Sequence, residues 1–87
     1  MTLSFPNRSR CFDEARSAVR FIGHDGMFEV PFFIETKALV EQASTELTEL
    51  DYLTAFDQSR GSIYDVARKL YRGMRGKEYI LTMADFE

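Results

Sequence analysis

Residues 18–34 read Ala-Val-Arg-Phe-Ile-Gly-His-Asp-Gly-Met-Phe-Glu-Val-Pro-Phe-Phe-Ile, two alternating segments around Asp25-Gly26. This is a strong hairpin signal, because a two-residue turn needs positive φ and glycine supplies it without a steric cost. With Asp25 and Gly26 at the centre of a type I′ turn, Gly23 pairs with Phe28, Phe21 with Val30 and Val19 with Phe32 on one face. His24 with Met27, Ile22 with Glu29 and Arg20 with Pro31 take the other. A slip of one residue would mix the two sets. Pro31 has no N–H to donate, which predicts an edge strand or a position without a ladder bond.

Leu3 and Phe5 alternate with Thr2 and Ser4, predicting a short N-terminal strand stopped by Pro6-Asn7. Residues 8–17 are polar and charged and read as loop, with Asp13 placed to cap a turn of helix through Glu14, Ala15 and Arg16. Thr36 is placed to cap a short helix over 36–43, after which Ser44-Thr45 breaks the pattern.

Thr48, with Glu49 and Asp51 in the following turn, predicts a long helix over 49–72. Its apolar stripe is Leu53, Phe56, Ile63, Ala67, Leu70 and Met74, with Arg60 in the stripe's missing position. Gly61 costs this helix about 1 kcal/mol relative to alanine. One helix, bent there, is the favoured reading, and a break near 60 with Ser62 and Asp65 capping a second helix is the alternative. Gly73 and Gly76 mark the helix end. Residues 78–83, centred on Tyr79-Ile80-Leu81-Thr82, then form a last strand, with Met83 and Phe86 left to close the core. The fold class is α+β: a small antiparallel sheet with helices packed on one face.

With 87 residues, 45% of them hydrophobic and 14% aromatic, the chain suits a single domain over 1–87 with one modest core. A net charge of -3 and a pI near 5.1 argue against indiscriminate binding to nucleic acid or anionic membranes. The charge is nevertheless polarised. Residues 35–57 are acidic, whereas 58–79 hold six cations against Asp65 and Glu78. No apolar run approaches the ~20 residues that span a bilayer, and no signal-peptide core follows the N-terminus. Cys11 is the only cysteine, which excludes an intramolecular disulfide and a cysteine-based zinc site and suits a reducing compartment. A cytoplasmic location is expected.

The lone histidine, His24, stands beside Asp25, a pairing used in catalysis and metal binding. Neighbouring strand residues point to opposite faces, so the favoured reading of His24 is an exposed turn residue. Cys11 has no nearby base, and no nucleophile elbow, metal-ligand spacing or phosphate loop is present. No catalytic residue, metal ligand or cofactor is therefore nominated.

The nominated contact residues are Arg68, Lys69, Arg72, Arg75 and Lys77. They would meet either a partner protein or the phosphates of a nucleic acid, with Tyr64, Tyr71 and Tyr79 available to stack on bases. Cations also gather at ordinary helix C-termini, where the dipole is negative. The acidic and basic portions offer charge complementarity inside the fold or across a homodimer.

Leu3-Ser4-Phe5-Pro6-Asn7, Asp13-Glu14-Ala15-Arg16, Val19-Arg20-Phe21, Gly23-His24-Asp25-Gly26, Glu29-Val30-Pro31-Phe32-Phe33 and Tyr79-Ile80-Leu81-Thr82 together resemble the bacterial family known as domain of unknown function 1488. The resemblance runs over essentially the whole chain and implies a bacterial cytosolic protein. It implies no activity, substrate or cofactor. The expected function is that of a non-enzymatic interaction or accessory protein whose partner is another protein or itself. Nucleic-acid binding through 68–77 is the alternative, and an enzyme a distant third.

Overall fold

The computed structural model describes residues 3–40, 47–73 and 77–86. In chain order the elements are β1 (Leu3–Ser4), β2 (Arg10–Asp13), β3 (Ala18–Asp25), β4 (Phe28–Glu35), α1 (Thr36–Leu39), α2 (Glu49–Gln58), α3 (Arg60–Leu70), β5 (Tyr79–Leu81) and a 3-10 turn at Met83–Phe86. The strands form one mixed sheet. β3 lies at its heart, paired with β4 on one side and with β1 and β2, end to end, on the other, while β5 completes the far edge.

The hairpin forms at the expected place with a register displaced by two residues. Phe21 pairs with Phe32, Ile22 with Pro31, Gly23 with Val30 and Asp25 with Phe28. The turn residues are Gly26 and Met27 instead of Asp25 and Gly26. Gly26 has φ +63°, and Ser17 is the only non-glycine described residue with positive φ. Glycine first and a negative φ second is the sign pattern of a type II′ turn. A two-residue displacement preserves the side-chain alternation, so the sorting of faces cannot distinguish the two registers.

Two strand assignments change. Arg10–Asp13 is a strand, not loop, pairing antiparallel with β3 from Arg10↔Phe21 to Asp13↔Ala18. Asp13 does cap a turn, accepting from the Arg16 N–H, but this turn reverses the chain between β2 and β3. The expected all-antiparallel sheet is mixed, because β5 runs parallel to β4. The helices between them carry the chain back to the starting end of the sheet, as a parallel crossover requires. β4 is thus internal. Its β5 ladder begins at Phe32↔Tyr79 and leaves Pro31 outside it.

Helix α2 starts at Thr48 as expected, with a reciprocal capping box between Thr48 and Asp51. The favoured single helix over 49–72 is instead two helices, broken at Ser59, whose backbone leaves the helical region (φ -113°, ψ 15°). One buried stripe still crosses the break through Phe56, Arg60, Ile63 and Ala67. The described part of the 36–43 helix is one turn, Thr36–Leu39. Residues 41–43 and Met74 lie outside the described residues. Gly73, at φ +75°, takes the left-handed conformation expected after the helix end.

The stripe packs on the sheet face made by Val19, Phe21, Val30, Phe32 and Ile34. Aromatic rings dominate there: Phe21 and Phe32 stack at 5.3 Å between centroids, and Phe56 meets Phe21 at 5.2 Å. Gly23 belongs to this face because a Cβ would stand 3.0 Å from Leu3, Phe5 and Phe32 side-chain carbons.

Candidate functional site

Alternation along β3 sends His24 to the sheet face away from the helices and Asp25 to the face beneath them. Asp25 there accepts a hydrogen bond from the Tyr71 hydroxyl at the end of α3. His24 is half-buried in the strand, opposite Glu29, not an exposed turn residue. The adjacent His-Asp pair is therefore not a chemical pair. Cys11 is exposed and lies across from Arg20, in a hollow of about 290 Å³ lined by Ser9, Arg10, Arg20, Phe21 and Ile22. Neither an imidazole nor a carboxylate enters that lining. Among the described residues, no three His, Cys, Asp or Glu side chains gather as a metal ion would need.

The nominated basic residues do not form one patch of free cations. Arg68 pairs with Asp65 at 3.1 Å and sits 5.2 Å from the centre of the Phe5 ring. Arg72 turns back to donate to the Lys69 carbonyl at 2.7 Å, satisfying a group at the end of α3. Lys69 is exposed, and Lys77 lies 5.6 Å from the Tyr79 ring centre. Arg75 lies outside the described residues. The three tyrosines belong to the core: Tyr71 and Tyr79 are buried, and Tyr64 stacks on Phe5 with centroids 4.0 Å apart.

An ion cluster links the sheet to the helices. The Asp57 carboxylate accepts from Arg10 Nε and Nη2 at 2.9 and 2.8 Å and from Arg60 Nη2 at 2.6 Å. The hydrogen bond from Arg10 holds the Asp57 carboxyl below the usual range, with a further contribution from Arg60, against the opposing effect of burial. Arg60 also donates to the Arg8 carbonyl and the Tyr64 hydroxyl and rests against the Phe56 ring. Sequence reading left Arg60 as a gap in the stripe. That gap marks a buried guanidinium held through both its terminal nitrogens, and gives no sign of the Arg8 carbonyl, 52 residues away.

The other face of the sheet has a different character. Register places Cys11, Arg20, Phe33 and Ile80 in one row across four strands and Ile22 beside Pro31 in the next, followed by Ser4, His24 and Glu29. Ile80 is 52% exposed, Arg20 and Glu29 are exposed, and Ile22 and Pro31 are half-exposed. Phe33, between Arg20 and Ile80, is buried. Arg16, from the β2–β3 turn, places its guanidinium 4.2 Å from the Phe33 ring centre and bridges to Glu78 beside β5, with Asp13 at 3.8 Å on its other side. Arg16 thus straps the face diagonally from one edge to the other. No described helix covers it.

The fold and this surface define a class: a small α+β domain whose mixed sheet is closed by helices on one side and apolar but open on the other. The chain belongs to the family described as "Protein of unknown function (DUF1488)", whose match covers residues 3–82. It is similar to a crystal structure, at 1.60 Å, of a protein of unknown function from that family from Shewanella loihica PV-4. The two are 25% identical with a TM-score of 0.67, over 80% of this chain and 79% of that one. No curated protein matches the chain.

Proposed function

We propose that the protein is a small, non-enzymatic cytosolic interaction protein that docks a protein partner on the open face of its sheet. The observation that carries this reading is the group of partly exposed apolar side chains Ile22, Pro31 and Ile80, flanked by Arg20 and Glu29, with the Arg16–Glu78 bridge passing beside them over Phe33. An apolar centre within a polar rim is the anatomy of a protein-binding surface. The cytosolic placement accords with the single exposed thiol and with the absence of any described helix long and apolar enough to cross a membrane.

The test is retention of host proteins by the immobilised protein, compared with an Ile80→Glu variant whose circular dichroism matches the parent. Ile80 lies outside the core, so its replacement leaves the fold intact. A retained protein that is lost with Ile80→Glu supports the reading, whereas equal retention by both, or none by either, counts against it.

A second reading, nucleic-acid binding through Arg68, Lys69, Arg72 and Lys77, rests on the exposure of these cations near one helix end. It predicts affinity that falls steeply with salt and falls again on Arg72→Ala. Undetectable binding to DNA and RNA at low salt would remove it.

A further inference from the structure

Resting on the reading of the open face as a docking surface, we infer that its occupant is a second copy of this chain, stacked face to face about a two-fold axis through the Ile22–Pro31 pair. The strand register makes the face self-complementary about that point. Arg20 lies two residues from Ile22 along β3, and Glu29 lies two residues from Pro31 along β4, on the opposite side of the centre. A two-fold axis in the plane of contact, perpendicular to the line joining them, sets Arg20 of one copy over Glu29 of the other. The symmetry makes the same pair again on the far side, with Ile22 and Pro31 against their own counterparts between.

Both charges are available for this role. Each is exposed, and among the described residues neither takes part in an ion pair or side-chain hydrogen bond, in contrast to Arg10, Arg16, Arg60 and Arg68. The geometry is also one that sheets adopt. From the usual strand spacings, the axis crosses the strands of the two copies at roughly 40°, near the ~30° of aligned sheet packings. The Arg16–Glu78 bridge lies beside the centre, within the contact.

Size sets the expected strength. β3 and β4 reach ~27 Å, while β1 with β2 and β5 fill only part of the two outer columns, so each copy buries about 400 Å² and the pair about 800 Å². That is below the ~1,000 Å² of a stable specific interface, which makes the association weak, reversible and concentration-dependent.

Sedimentation equilibrium at low salt, from about 1 μM to 1 mM, tests this. The expected result is a mass rising from 10.1 kDa toward twice that value. R20E, which sets like charges across both pairs, is expected to weaken the dimer at least about tenfold, and E29R equally. The double variant R20E/E29R is expected to return to within about threefold of the parent, because the swapped charges pair again. Matching circular dichroism shows that each variant is folded.

A parent that stays monomeric throughout the range overturns the inference, as does a double variant no better than the single ones. A monomeric parent that still retains a different host protein through Ile80 would sink self-association alone. A monomeric parent with no Ile80-dependent retention would sink the docking reading as well.

Discussion

Phe32 and Phe33 are neighbours in β4, and both are buried, at 0% and 4% exposure. Their burial has different causes. Phe32 lies among the rings of Phe5, Phe21 and Tyr79, under helices that leave only if the domain unfolds. Phe33 is roofed by the guanidinium of Arg16, whose side chain is itself 44% exposed. One face of the sheet is the core of the protein. On the other, a buried ring lies beneath an exposed guanidinium, and burial alone does not separate the two.

The largest effect should distinguish these residues. Phe32→Ala is expected to cost about 3–5 kcal/mol in urea unfolding, and Phe33→Ala less than half of that, because the second ring lies outside the core cluster and beneath an exposed guanidinium. Equal costs would mean that the outer face is also core. Next is Gly23→Ala, expected to cost about 1–3 kcal/mol, since the new methyl group meets Leu3, Phe5 and Phe32 on the closed face. Gly26→Ala meets open space and is expected to cost about 1 kcal/mol for its positive φ alone.

The ion cluster behind the closed face has a pH signature. The native Asp57 carboxyl, held by Arg10 and Arg60, has a lower pKa than in the unfolded chain, so the unfolded state binds more protons in between. Its contribution is complete above about pH 4 and is lost as pH falls from there through the lowered native value. Asp57→Asn should flatten that acid limb in a series of urea titrations. The part due to Asp51, lowered by its Thr48 hydrogen bonds, should remain. An unchanged limb would place the Arg10–Asp57 pair outside the stability of the fold.

The smallest effect on stability, and the most specific to the open face, belongs to Arg16→Ala. Its loss uncovers Phe33, so binding of a hydrophobic dye should rise while helix content is unchanged. Added salt should do the same to the parent in a lesser degree.

Which face each hairpin residue takes was readable from alternation, and Thr48 announced the start of α2 through its capping chemistry. The register was not readable, because Asp25 is as good a turn residue as Gly26 and a shift of two leaves every side chain on its own face. β2 escaped notice because Arg10-Cys11-Phe12-Asp13 offers a single apolar residue. Phe12 faces inward because the ladder sets it opposite Val19, and it stacks there on Tyr52. The direction of β5 is a property of the crossover, which no local pattern records. The open face left one trace, the unbroken run Phe32-Phe33-Ile34, since consecutive apolar residues in a strand must supply both sides of the sheet. The nominated cations were legible as a group, but their ties to Asp65, Phe5, Tyr79 and the Lys69 carbonyl depend on how α3 ends.

The central claim is that the uncovered sheet face, and no other surface, is where this protein meets its partner. An amide NMR dilution series at low salt tests it directly. The account predicts that resonances of Cys11, Arg20, Ile22, Glu29 and Ile80 move together with concentration while those of α2 and α3 stay still. Shifts confined to α3 and residues 77–79, or none over the whole range, would contradict it.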